Sequence, residues 1–136
     1  MELHFFEKLI VTALRKFTKL LYNHNYSITG ISYGDRDGDF IKYKSNDKGL
    51  EIHIVFTWVK NGISLDIIFY KKSILLLNKS FNLNGTTDIF PDIKHIKKEI
   101  SEENYISVIE SYHECIEKYF LSIIEGKKWI DEIKKK

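Results

Sequence analysis

Three groups of residues in this chain have types that could do chemistry. The first is Asp35-x-Asp37-x-Asp39, three carboxylates at alternate positions beside Gly38. That spacing opens a calcium loop, but position six is Phe40 rather than glycine and the closing position is Asn46 rather than glutamate. The triplet reads instead as the acidic tip of a hairpin, suited to a basic partner. The second group is the histidines, His4, His24, His53, His95 and His113. None stands at zinc-ligand spacing from another, so no metal is expected. The third is Cys115, the only cysteine. His113-Glu114-Cys115 lacks the glutamate position and the Pro-Cys-x-x-Cys of a zinc deaminase. Cys115 therefore reads as a small apolar residue beside Ile116. A Cys/His nucleophile assembled only in space is the competing reading. Phosphate-loop and dinucleotide motifs are absent, and the one Gly-x-Ser-x-Gly match, Gly30-Ile31-Ser32-Tyr33-Gly34, falls where the chain reads as a hairpin strand rather than a strand-to-helix turn. No catalytic residue and no cofactor is expected.

The elements that must position such residues centre on Leu50–Lys72, LEIHIVFTWVKNGISLDIIFYKK. Two β-branched and aromatic runs flank Asn61-Gly62, a dipeptide suited to a type I′ hairpin turn. Alternation puts Leu50, Ile52, Ile54, Phe56, Trp58, Ile63, Leu65, Ile67 and Phe69 on one face, which must be core. The opposite face carries Glu51, His53, Val55, Thr57, Val59, Ser64, Asp66, Ile68, Tyr70 and Lys72. With Asn61-Gly62 as the turn, the expected cross-strand pairs are Glu51–Lys72, His53–Tyr70, Val55–Ile68 and Thr57–Asp66. Lys42 and Lys44 join this outward face from a neighbouring strand. Val55, Val59, Ile68 and Tyr70, set amid His53, Thr57, Asp66, Glu51 and Lys72, make an aliphatic and aromatic centre with a charged rim. Either residues 73–90 or a helix covers it, or it is a partner-binding or homodimer patch. Its lysines and rings also fit, less well, a strand surface that stacks nucleic-acid bases.

Before this hairpin, residues 2 to 23 show an amphipathic helical stripe: Leu3, Phe6, Leu9, Ile10, Ala13, Leu14, Phe17, Leu20 and Leu21. Ser27–Tyr33 and Asp39–Ser45 read as a hairpin with a three-residue loop, pairing Tyr33 with Ile41 and Ile31 with Tyr43. A fifth strand is expected within Ser73–Leu83, then a loop through Asp88, with Ile89-Phe90-Pro91 tucked under helices. A short helical segment follows from Asp92 to about Lys98. A longer helix starts near the N-cap Ser101 and runs to Gly126, with a last turn carrying Trp129, Ile130 and Ile133.

Helix, four or five antiparallel strands as a meander, then helices: the expected class is α+β, with N- and C-terminal helices on one face of an antiparallel sheet. At 136 residues, 1–136 is one domain. A net charge of +2 gives no argument for nucleic acid. A single cysteine forms no internal disulfide, and Glu7, Lys8, Arg15 and Lys16 interrupt the apolar start as a leader or membrane span. A cytoplasmic location is expected.

The N-terminal helix, the Ser32-Tyr33-Gly34-Asp35 to Phe40-Ile41-Lys42-Tyr43 hairpin and the ending Phe120-Leu121-x-x-Ile124-x-Gly126-Lys127-Lys128-Trp129-Ile130 together resemble small bacterial immunity proteins. The resemblance implies stoichiometric, non-enzymatic neutralisation of a toxin-like polypeptide in the cytoplasm, with no catalytic residues. The expected partner-binding residues are His53, Val55, Thr57, Asp66, Ile68 and Tyr70, with the acidic Asp35, Asp37 and Asp39.

Overall fold

A computed structural model describes residues 3–32, 39–59, 62–72, 78–96 and 99–134. The first helix, α1 (Leu3–Tyr22), buries Phe5, Phe6, Leu9, Ile10, Ala13, Phe17 and Leu21, the three-and-four spacing of a one-sided helix. It ends in a turn at Asn25, whose φ of 68° is one that asparagine tolerates better than most residues. Five strands follow: β1 (Tyr26–Ser32), β2 (Asp39–Ser45), β3 (Leu50–Val59), β4 (Gly62–Lys72) and β5 (Asn78–Asn82). They form one antiparallel sheet in sequence order. A 3-10 turn at Leu83–Thr86 leads to α2 (Asp92–Ile96), α3 (Tyr105–Tyr119), α4 (Leu121–Ile124) and α5 (Ile130–Lys134). The expected α+β meander is the observed one. Among the described residues, no helix is long and apolar enough to cross a membrane.

The central hairpin keeps its expected faces but not its register. Val59 pairs with Gly62, Phe56 with Leu65 and Ile54 with Ile67. Gly62 therefore lies in a strand rather than in the turn expected at Asn61-Gly62, and positions 60 and 61 lie outside the described residues. A shift of two positions preserves which face each side chain takes, so the apolar set stays together. Gly62 lies in the strand, where a Cβ would stand 3.0 Å from the Ile100 carbonyl oxygen. Ile100 donates its N–H to the Ile63 carbonyl at 2.7 Å. Gly62 thus admits a close backbone rather than turning the chain. Gly62→Ala is expected to lose about 1–2 kcal/mol of stability, from crowding against a main-chain atom that cannot rotate away. A chemical-denaturation midpoint unchanged from wild type would overturn this.

In the first hairpin, Ile31 pairs with Ile41 rather than Tyr43, and the register shifts between Ile28 and Gly30. The extra residue, Thr29, lets Tyr26, Ile28 and Ile31 all share the face of Ser45, Tyr43 and Ile41. The expected partner Tyr33 and the loop 33–38 lie outside the described residues. The fifth strand starts at Asn78, and the apolar run 74–77 also lies outside them. The long C-terminal helix begins at Tyr105, not Ser101. Ser101 instead donates its N–H to Asn104 Oδ1 at 2.7 Å, in a turn whose Ser101 carbonyl accepts from Tyr105 N–H. That helix breaks at Phe120, and Gly126 ends the next turn at φ 76°.

The core lies between the helices and one face of the sheet. Ile41, Tyr43, Ile52, Ile54, Phe56, Leu65, Ile67 and Phe69 meet Leu9, Phe17, Ile109, Tyr112, Ile116, Phe120 and Ile123 there. Trp58, at the hairpin end, is half exposed but packs edge-on against Phe6, with ring centroids 4.6 Å apart. Three buried tyrosines fasten the layers through their hydroxyls. Tyr112 donates toward the Leu65 carbonyl at 2.9 Å, Tyr26 donates to the Ile124 carbonyl at 2.8 Å, and Tyr43 shares a 2.7 Å bond with Thr18 Oγ1. Phe69 stacks on Phe81 at 4.8 Å and on Phe120 at 5.5 Å, and Phe120 also meets Phe90 edge-on at 5.3 Å.

Candidate functional site on the outer sheet face

The other face of the sheet carries the candidate site. Strand pairing arranges it in rows: Lys44, Glu51, Tyr70 and Ser80; Lys42, His53, Ile68 and Asn82; Phe40, Val55 and Asp66; Thr57 and Ser64. Phe40, His53, Val55, Asp66, Ile68 and Tyr70 are half-buried, and Thr57, Lys44 and Lys72 are exposed. The apolar residues that pack on the core from partly exposed positions come from the helices, from β5 and from the segment after it, not from this face. The alternative that residues 73–90 cover this face has no support from the placement of 78–90. Phe81 stacks on Phe69, and Leu83 and Phe90 are buried in the helix-side core. Positions 73–77 lie outside the described residues.

The register shift changes the predicted neighbours. His53 stands opposite Ile68 rather than Tyr70, Val55 opposite Asp66, Glu51 opposite Tyr70 and Thr57 opposite Ser64. His53 still reaches Tyr70 diagonally, with ring centroids 4.4 Å apart, and its Nε2 lies 3.1 Å from Glu51 Oε2. Gly49, Glu51, His53, Tyr70 and Lys72 enclose a depression of about 240 Å³ at this end of the sheet. At the other end, Asp66 Oδ1 accepts the Ile67 N–H at 2.8 Å and the Asn84 N–H at 3.4 Å. Its carboxylate is therefore occupied in fastening the turn after β5. Lys42 lies over the Phe40 ring, with Nζ 4.6 Å from its centroid.

His53, Val55, Thr57, Asp66, Ile68 and Tyr70 thus share one surface. Asp39 does not join them. It pairs with Phe56 across β2 and β3, lies on the helix-side face and is only 5% exposed. The acidic tip loses this member, and Asp35 and Asp37 lie outside the described residues. Phe40 is the residue missed. It alternates with Ile41 and shares a side with Lys42's neighbours across the sheet, so strand parity in Asp39–Ser45 already pointed to it.

Chemically the face offers rings, aliphatic surface and a few fixed polar groups, the means of recognition. Among the described residues, no group of three histidine, cysteine, aspartate or glutamate side chains is placed to hold a metal ion. Cys115 is buried on α3, and that burial pushes its thiol from 9.0 up to about 11, with Asp92 adding to the rise. The thiol is thus held away from the nucleophilic thiolate form. Its reaction with a disulfide reagent at pH 8 is expected to be about a hundredfold slower in the folded chain than in denaturant, as two units of pKa dictate. Rapid native labelling would instead mark a reactive nucleophile. Asp92 itself is shifted below the usual carboxylate value, through the Tyr119 hydroxyl and then Lys118.

Comparison with protein-family models, with curated proteins and with solved structures finds no match.

Proposed function

We propose that this chain is a non-enzymatic binding protein that captures a polypeptide on the outer face of its sheet and neutralises it, as a cytoplasmic immunity protein neutralises its toxin. The observation that carries the reading is the half-buried Phe40–Val55–Ile68–Tyr70 surface on a sheet whose other face takes the helices. An aliphatic and aromatic centre with a charged rim is the anatomy of a protein interface. Charge chooses the partner. Glu51 is engaged by His53 and Asp66 by backbone N–H groups, whereas Lys44 and Lys72 stand exposed at the rim. The occupant is therefore a folded polypeptide with an apolar patch bordered by carboxylates.

The test is expression of the reading frames that neighbour this gene, each alone and with this chain. One product is expected to arrest growth, to be relieved by coexpression, and to form a one-to-one complex whose assembly is lost with Ile68→Asp. A chain that binds no neighbouring product and purifies only as a self-dimer would sink the proposal. The rings of Phe40, His53 and Tyr70 beside Lys42 favour single-stranded nucleic acid as the second reading. Tight binding to an oligonucleotide that falls steeply with salt would support it instead.

A further inference from the structure

A second surface, remote from the outer sheet face, carries a charge imbalance of its own. α1 and α3 pack side by side, and a cleft of about 290 Å³ opens between them. Small-molecule sites begin near about 300 Å³. It is lined by Arg15, Lys16, Lys19 and Leu20 of α1, by Asn23 just past its end, and by His113 and Glu117 of α3. Arg15 and Lys19 lie four residues apart and so face the same way, as do Lys16 and Leu20. Leu20 packs on the core and gives the cleft an apolar floor. The His113 ring, its side chain 19% exposed, leans over Phe17 with centroids 6.0 Å apart.

The carboxylates here are already engaged. Glu117 Oε1 lies 2.9 Å from His113 Nδ1, and Glu110 Oε1 lies 3.8 Å from Lys16 Nζ. Among the described residues, Arg15 and Lys19 have no ion pair and no side-chain hydrogen bond. Two uncompensated cations one helical turn apart repel each other. An anion seated between them removes that repulsion, and the guanidinium fork of Arg15 supplies paired donors that a phosphate or carboxylate accepts.

We propose that the α1–α3 cleft binds a small polyanion bearing phosphate or carboxylate groups, with Arg15 and Lys19 as its principal ligands and Lys16 and His113 at its sides. The site is open to solvent, so its affinity is modest and falls with salt. It makes no use of the sheet face and stands independently of the function proposed for that face.

The test is a heteronuclear NMR titration of the full chain with inorganic pyrophosphate and, separately, with citrate, against sodium chloride of matched ionic strength. Saturable shifts are expected at the amides of Arg15, Lys16, Lys19 and Leu20 and at the His113 ring. The double substitution Arg15→Gln/Lys19→Gln changes exposed side chains only and is expected to weaken binding about tenfold or more. Response to pyrophosphate alone assigns a phosphate ligand, and response to both assigns a general polyanion site. Shifts that never saturate, that sodium chloride reproduces, that spread equally over Lys42, Lys44 and Lys72, or that survive the double substitution overturn the proposal.

Discussion

Phe120→Ala is expected to remove about 3–5 kcal/mol of folding stability, the range for deleting a buried aromatic side chain. Phe120 is fully buried and meets, besides its neighbour Tyr119, the rings of Phe69 of β4 at 5.5 Å, Phe81 of β5 at 5.9 Å and Phe90 at 5.3 Å. The surrounding rings are held by their own contacts, Phe81 by Trp129 and Phe90 by Tyr119. The site collapses poorly, which places the loss toward the upper part of the range. Domains of this size have total stabilities of about 5–15 kcal/mol, so the variant retains only a fraction of its margin. Urea denaturation followed by tryptophan fluorescence measures it, since Trp129 reports from the same cluster. A loss under about 1 kcal/mol would show that the break between α3 and α4 can repack, contrary to the geometry.

The second large effect contrasts two aspartates on opposite sides of one hairpin. Phe56→Asp is expected to abolish folding. Phe56 is 3% exposed and stands directly across from the buried Asp39. The substitution removes a large apolar side chain and sets a second carboxylate beside the first in a site with little water. Ile68→Asp is expected to leave the fold in place, with thermal stability lowered by no more than about 1–2 kcal/mol, because Ile68 borders solvent on the outer face. The same change places a charge at the middle of the Val55–Tyr70 surface and is expected to abolish polypeptide binding. Circular dichroism reports the fold of each variant, and size-exclusion chromatography with the partner reports binding. If Ile68→Asp unfolds the chain, the outer face is covered, and the interface must be sought elsewhere.

The two faces of the hairpin were legible because alternation is insensitive to a register error of two residues. The turn was not, because the reason for Gly62 is the Ile100 main chain, which comes from a segment 38 positions away and leaves no local mark. The bulge at Thr29 was hidden in the same way, since only the pairing with β2 reveals the extra residue. Asp39 is a different case. It shares parity with Ile41 and Tyr43, so its burial could be read from the strand, but its spacing from Asp35 and Asp37 drew it into an acidic triplet. Helical stripes such as Ile109, Tyr112 and Ile116 announce that a face is buried without saying against which side of the sheet. That the helices take the face opposite Val55 and Ile68 therefore became visible only once they were placed. The Arg15–Lys19 cleft needed the same step, because its opposite wall, His113 and Glu117, lies almost a hundred residues along the chain.

The sheet order has a consequence for how the chain is made. Each strand pairs with the one before it, so β1 to β5 can zip together in the order in which they leave the ribosome, with short loops to close. The part of their apolar face that α1 does not cover stays open until the C-terminal helices arrive. The bond from the Tyr26 hydroxyl to the Ile124 carbonyl joins positions 98 apart, and it forms only when nearly the whole chain has emerged. A nascent chain stalled after β5 therefore carries a finished sheet with Phe69 and Phe81 exposed to water, and that intermediate is the form of this protein most in need of a chaperone.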